Sequence, residues 1–296
     1  MDVVSFDKEQ CNLCGTCAEV CPEGVLAFQK DKGPSVVFED GCIQCGHCVA
    51  VCSTDAVFHH QMSMEGFESI ERRVVSPEAM ARLLNSKRSV RHFSDKKVPR
   101  KLIEELVEVA AKSASDNNTQ DRGFIVLIEP NRILKIEEEI VKYYKRLLFW
   151  LNPIVRRILA LFMPREIRGF EWSMHDLQNM VRQWNEGERP VFRDAPCVIF
   201  IHGPKNNLMS KDNCLVAQQY LMLLGQCHGL GSCMIGYATG APDALKAHLS
   251  LPDNHEIYAA NTLGYTKFRY RKTVDRRKPK LQFCDNAIDN SFKMEL

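Results

Sequence analysis

Very little net charge distinguishes this chain: 39 Lys and Arg stand against 37 Asp and Glu, a formal charge of +2. Bulk electrostatics therefore names no polyanionic partner. Long hydrophobic runs are also missing. The most apolar stretch, RLLFWLNPIVRRILALFMP at 146–164, is interrupted by Pro153 and by Arg156-Arg157, whereas a membrane-crossing helix needs about 18 or more apolar residues with few or no charges. A transmembrane helix is rejected. The stretch is expected to form a buried or interface helix pair, with an interfacial amphipathic helix as the alternative. The opening MDVVSFDKEQ has an acid at position 2 and no apolar core, so no export signal is expected and the reading is cytoplasmic. Tryptophan is scarce, with Trp150, Trp172 and Trp184 the only three.

Cysteine is abundant. There are 13, and eight lie within the first 52 residues. Without export a disulfide framework is disfavoured and metal ligation favoured, and the Asn117-Asn118-Thr119 sequon carries no meaning in a cytosolic chain. Charge is also unevenly spread. Residues 1–60 hold 3 Lys/Arg against 9 Asp/Glu, leaving 36 against 28 in the rest. An acidic head on a basic body fits docking of an electron carrier, or packing between two domains.

Cys11, Cys14, Cys17 and Cys21 recur as Cys42, Cys45, Cys48 and Cys52, each displaced by 31 residues, and CGTCAEVC matches CGHCVAVC. A duplicated unit suggests two pseudo-symmetric halves sharing one core. The C-x2-C-x2-C-x3-C spacing resembles the bacterial two-cluster ferredoxin, with Pro22 after Cys21 as that family expects and Ser53 after Cys52 as a departure. The resemblance assigns Cys11, Cys14, Cys17 and Cys52 to one 4Fe-4S cluster and Cys42, Cys45, Cys48 and Cys21 to a second. Structural zinc takes ligands from separated pairs, which gives no reason for the third and fourth cysteines. His47, His59 and His60 are read as surface or core residues, the ligand count being complete. A head of about 60 residues has a small core, so its metal is expected to contribute to folding.

Residues 61–78 are mixed and polar, and Ser76-Pro77-Glu78 reads as a capped helix start. Beyond it, Lys87, Arg88 and Arg91 bracket Ser89. Three cations and a hydroxyl suit a phosphate, although alone they also suit solvated surface or carboxylate pairing. An amphipathic pattern through Leu102, Ile103, Leu106, Val107 and Ala110 follows, then the polar loop SASDNNTQDRG and the apolar run FIVLIE. This order resembles the nitroreductase family of FMN flavoproteins, whose opening run here reads Lys87-Arg88-Ser89-Val90-Arg91-His92-Phe93. The resemblance implies that Lys87, Arg88, Ser89 and Arg91 hold the FMN phosphate and ribityl chain. In the following loop Ser115, Asn118 and Gln120 match the family pattern, while its Pro-Trp is replaced by Asp121-Arg122. Amides suit the uracil-like edge of a flavin.

Farther on, Gly229-Leu230-Gly231-Ser232-Cys233-Met234-Ile235-Gly236-Tyr237 resembles the family segment whose backbone lies along the flavin ring. Cys233, Met234, Ile235 and Gly236 are thereby cofactor candidates. It is not a dinucleotide fingerprint, because the loop follows a helix instead of opening one. Arg277-Lys278-Pro279 resembles the family's closing basic motif, making Arg277, with Arg276 as a second candidate, one more cation for the phosphate. From 267 to 280 there are eight Lys/Arg and one acid, but no nucleic-acid-reading module accompanies them. Cys197, Cys214, Cys227 and Cys284 read as buried small apolar residues, and His228 as structural. Trp172, His175 and Trp184 are pocket candidates against the simpler reading of core packing.

The expected architecture is α+β. A small ferredoxin-like iron–sulfur domain at 1–62 precedes a linker at 63–78 and a nitroreductase-like FMN domain at 79–296, whose central mixed sheet is flanked by helices. A helical insertion at 131–195 is expected to influence substrate choice. By the resemblance the chain is an FMN-dependent oxidoreductase with two 4Fe-4S clusters. Electrons would pass from the head to FMN and on to an electron-poor small molecule, a nitro compound or quinone. The flavin itself does this chemistry at N5, so no catalytic side chain is assigned. The alternatives are a non-catalytic or membrane-associated electron-transfer subunit, or a flavin-fragmenting or dehalogenating branch of the same fold. A homodimer is implied, with ferredoxin or NAD(P)H as external donor, and neither nucleic-acid binding nor membrane contact is expected.

Overall fold

The computed structural model describes residues 2–70, 74–151, 155, 157–158, 164–281 and 283, and only the backbone over 164–173. The side chain of Trp172, residue Cys284 and, within the 146–164 stretch, residues 152–154, 156 and 159–163 lie outside the described residues. Among the described residues no helix is long and apolar enough to cross a membrane.

The head is built on its repeat. Strand β1 (Val4–Phe6) is followed by helix α1 (Thr16–Glu19), strands β2 (Leu26–Gln29) and β3 (Gly33–Val36), helix α2 (His47–Ala50) and strand β4 (Val57–His59). β1 pairs antiparallel with β4, and β2 with β3. The duplication reaches the backbone torsions. Left-handed residues occur in pairs one repeat apart: Leu13 (φ 57°) and Gln44 (53°), Gly15 (77°) and Gly46 (70°), Gly24 (63°) and Asp55 (53°). Val4, Val25, Leu26, Val49 and Val57 form a small core with cysteines packed around it.

The body opens with α3 (Pro77–Ser86), where the Ser76 hydroxyl accepts from the Ala79 amide at 3.2 Å, a cap of about 1 kcal/mol. There follow α4 (Arg100–Ala111), β5 (Gly123–Leu127), α5 (Pro130–Trp150), α6 (Pro164–Asn185), β6 (Cys197–Pro204), α7 (Ser210–Cys227) and β7 (Leu230–Met234). The chain closes with α8 (Gly236–Thr239), α9 (Pro242–Lys246) and β8 (His255–Tyr265). The sheet order is β5-β6-β8-β7, with every pair antiparallel. An isolated parallel bridge between Ser89 and Ser232 sets the 89–90 segment beside β7.

β6 shows why its sequence CVIFI is apolar throughout. Val198 and Phe200 face one core with Ile136, Ile140 and Met180 of α5 and α6. Cys197, Ile199 and Ile201 face another with Leu106 of α4 and Leu221 of α7. A strand with helices on both faces needs apolar residues at both parities. The insertion is helical, as α5 and α6. Glu137 of α5 is 2% exposed and accepts from the backbone N–H groups of Val191 (2.9 Å) and Phe192 (3.1 Å). Burial pushes its pKa up, against those two bonds. Cys197 and Cys214 are buried as expected, but Cys227 is exposed, at the C-terminal end of α7 just before the turn into β7.

Candidate cofactor sites and the seam between them

In the head, Cys21, Cys42, Cys45 and Cys48 line one small cavity of about 20 Å³. Burial pushes the Cys48 thiol up to about 11, and its neighbours Cys45, Cys21 and Cys42 act in the same direction. Four mutually opposed thiols around a void are costly as thiolates unless a cationic centre occupies the middle, so the donor set fits a metal–sulfur cage. Cys17 likewise has its pKa raised by burial, then by Cys11 and Cys14. The Thr16 hydroxyl donates to Cys14 Sγ at 3.3 Å and holds that thiol below its ordinary value. At Cys52 burial acts upward, but contacts from Thr54, Ala56 and Val57 outweigh it; the Ala56 amide donates to Sγ at 3.2 Å.

His59 is neither ligand nor surface. It is 2% exposed, and its Nε2 lies 3.5 Å from Cys42 Sγ. Its Nδ1 accepts from the Gln61 amide at 3.3 Å, which leaves the ring proton on Nε2, facing sulfur. Burial, and then His60, lower its pKa, favouring this neutral form.

In the body, Lys87 Nζ donates to the carbonyls of Arg88 (2.9 Å) and Ser232 (3.3 Å). Burial lowers its pKa, with Cys233 acting the other way. Arg88 Nη1 donates to the carbonyls of Asn85 and Lys87, while its Nε and Nη2 are buried without a partner, as is the hydroxyl of Ser232. Buried N–H groups and a half-buried ammonium served only by carbonyls want an anionic acceptor. The residues therefore fit a phosphate group. The close approach that creates this corner depends on Gly231, where a Cβ would stand 2.6 Å from Val90 Cγ2 and 2.7 Å from Thr266 Cγ2.

Arg91 continues from this corner into a cleft of about 300 Å³ that it lines with Cys233, Met234, Ile235 and Gly236, together with Asp176 and Arg193 from across the insertion. No local pattern points to Asp176 or Arg193, since their approach depends on how α6 and the 191–194 turn fold back; Arg193 itself is left-handed at φ 57°. Ser89 is exposed. Cys233 is buried, its thiol directed at the Met234 carbonyl at 3.4 Å.

Ser115, Asn118 and Gln120 lie together in a different loop, and no hydrogen bond among the described residues joins them to Lys87–Arg91. The Ser115 hydroxyl accepts from the Gln120 amide at 3.1 Å, and Asn117, Asn118 and Gln120 are all left-handed. Asp116 anchors the loop to α7. Asn213 and Asn207 donate to its carboxylate and, with Thr119, hold it below the usual range, against a small opposing effect of burial. Arg122, standing where the family has an aromatic, donates to the carbonyls of Ala111, Ser113, Ala114 and Asn213. The amide of Asn118 reaches the head: Nδ2 donates to the carbonyls of Ile43 (3.0 Å) and Gln44 (2.8 Å), between Cys42 and Cys45. Arg277 lies exposed in the segment after β8, without a contact to Lys87–Arg91 among the described residues. His175 is exposed, and Trp184 packs against the core beneath Arg189. His228 pairs with Glu105 at 3.2 Å.

Residues 3–53 match the profile of a 4Fe-4S dicluster domain. The same region carries a similarity to polyferredoxin protein MvhB of Methanothermus fervidus, 36% identical over 76 residues, or 26% of this chain; the chain spans only 18% of that protein. The 4-nitrobenzoate reductase of Nocardioides sp. is 22% identical over 221 residues, covering 67% of this chain and 88% of the reductase. In fold, a Bacteroides fragilis nitroreductase solved with bound FMN aligns over 69% of this chain and 98% of its own, with a TM-score of 0.51 at 17% identity. Residues 84–265, more than half of the chain, match the profile of the nitroreductase family, and the chain belongs to that family, with an iron–sulfur domain placed ahead of it.

Proposed function

We propose that this oxidoreductase carries two 4Fe-4S clusters in its head and FMN in its body, and delivers electrons from the first to the second for reduction of an electron-poor small molecule such as a nitro compound or quinone. Cys11, Cys14, Cys17 and Cys52 hold one cluster; Cys42, Cys45, Cys48 and Cys21 hold the other. Lys87, Arg88, Ser89 and Arg91 bind the FMN phosphate side, and the 233–236 backbone flanks the ring. Bound flavin supplies conversion between one-electron and two-electron chemistry. The chain contributes binding, orientation and a cationic setting: the buried Arg88 N–H groups and Lys87 neutralise phosphate, and Arg91 and Arg193 keep the cleft positive.

The observation that carries this reading is the pair of unpartnered, buried Arg88 nitrogens, on the residue between Lys87 and Ser89, both of which meet Ser232. Their desolvation is offset once a phosphate accepts from them. The contact of Asn118 with the cage loop supports electron delivery across the seam. The loop from Ser115 to Gln120, which follows the opening run of the family pattern, is proposed to reach the flavin edge. The body working as a homodimer, Arg277 reaching phosphate, and a cytoplasmic setting belong to the same proposal. The test is anaerobic turnover. Protein supplied with a reduced ferredoxin-type donor and a nitroaromatic or a quinone should turn over many times per FMN. A protein that binds FMN but never reoxidises it with either acceptor would instead be an electron-transfer module.

A further inference from the structure

We infer that His59 is a positioning residue that sets the reduction potential of the cage held by Cys21, Cys42, Cys45 and Cys48, by donating its Nε2–H to Cys42 Sγ. This rests on the proposal that the head holds two cages.

Four observations converge. His59 lines the same cavity as the four thiols. Its ring is held by β4, where His59 pairs with Val4, and is almost fully buried. The Gln61 amide takes its Nδ1 and so directs the donor nitrogen to sulfur. Finally, among the described residues it is the only side chain that hydrogen-bonds any of these four sulfurs, Cys48 also having the backbone N–H of Val49, whereas Cys14 and Cys52 receive theirs from Thr16, Thr54 and Ala56.

A hydrogen bond to a ligand sulfur withdraws electron density and favours the reduced, more negative cage. The two halves achieve this differently. One repeat earlier, the place of His59 is taken by Phe28, which has no donor. The two cages are thus separately tuned, and the one tuned by His59 is the one whose loop touches the body through Asn118.

The experiment is a spectroscopically monitored reductive titration of the holoprotein, preceded by iron and acid-labile sulfide counts. His59→Phe installs the residue of the other half. One cage potential is expected to move to a more negative value while the other stays, and Thr16→Val is expected to move the other one alone. His59→Gln, which keeps an N–H donor, should recover part of the shift. A full cage content with both potentials unmoved in His59→Phe overturns the inference and leaves the two-cage proposal standing. Equal loss in the Phe and Gln variants overturns it too, because packing would then be the cause. If His59→Phe loses its iron, protein that keeps His59 decides: a His47→Ser variant with 15N-labelled histidine should, when reduced, show a nitrogen coupling to cage spin, and its absence overturns the inference. A protein with no cages overturns both.

Discussion

Asn118 of the body gives both of its amide hydrogens to the head, to the carbonyl of Gln44 at 2.8 Å and that of Ile43 at 3.0 Å. Gln44 is left-handed, as its repeat counterpart Leu13 is, so its carbonyl is turned outward where a second domain can meet it. Each such bond is worth about 0.5–1.5 kcal/mol net. Asn118→Leu should therefore weaken docking by about 1–3 kcal/mol, or roughly ten- to a hundredfold. Stopped-flow bleaching of flavin with electrons supplied through the head should slow by a comparable factor, while direct photochemical reduction of the flavin stays unchanged. Equal rates by both routes would remove Asn118 from the delivery path.

Arg88→Ala removes two buried donors that have no partner within the protein. Charge-assisted bonds to an anion contribute about 1.5–3 kcal/mol, so FMN affinity should fall roughly ten- to a hundredfold, read by fluorescence titration of the apoprotein. Thermal stability without FMN should hold or rise, because an uncompensated buried charge has been deleted.

Gly231→Ala places a methyl 2.6 Å from Val90 and 2.7 Å from Thr266. The 89–90 segment and the chain after β8 close on β7 there, with neither side free to retreat. Overpacking of this kind costs about 1–3 kcal/mol. A lowered denaturation midpoint accompanied by weaker FMN retention is expected.

His202 and His255 approach through their Nδ1 atoms at 2.8 Å, an arrangement that tolerates at most one proton between them. Burial, and then His255, lower the pKa of His202 from its ordinary 6.5. The unfolded chain therefore binds the proton more readily than the folded one. The stability contributed by the neutral ring is fully present above about pH 6.5 and declines as pH falls through that value toward the folded pKa. Urea midpoints measured between pH 7.5 and 5 should drop, and His202→Leu should flatten that dependence if it folds with its midpoint intact at pH 7.5.

Much of the molecule could be read from its residues because the relevant signals are local. The cysteine ladder fixes its own turns, and the 31-residue displacement reappears in helices α1 and α2 and in paired left-handed torsions. Lys87–Phe93 and Gly229–Tyr237 announce themselves as motifs, and the structure brings Lys87 and Ser89 against Ser232. What stayed hidden is non-local. Arg122 replaces an aromatic of the family pattern by gathering four carbonyls, from the end of α4, the loop after it and α7, a role that no neighbouring residue advertises. Arg193 enters the cleft only because Glu137, far away in the chain, pins the 191–192 amides. His59 reads as an ordinary core histidine until β4 pairs with β1 and turns its ring toward Cys42. Cys227 reads as buried from its apolar neighbours, but it closes a helix at the surface.

The central claim, metal cages and a flavin held in one chain, is tested most directly by the anaerobically purified protein itself. Its visible spectrum should combine flavin bands with broad sulfur-to-iron absorption, with about eight acid-labile sulfides and one FMN per chain. Material that contains no flavin, and takes none up when incubated with FMN, would contradict the account.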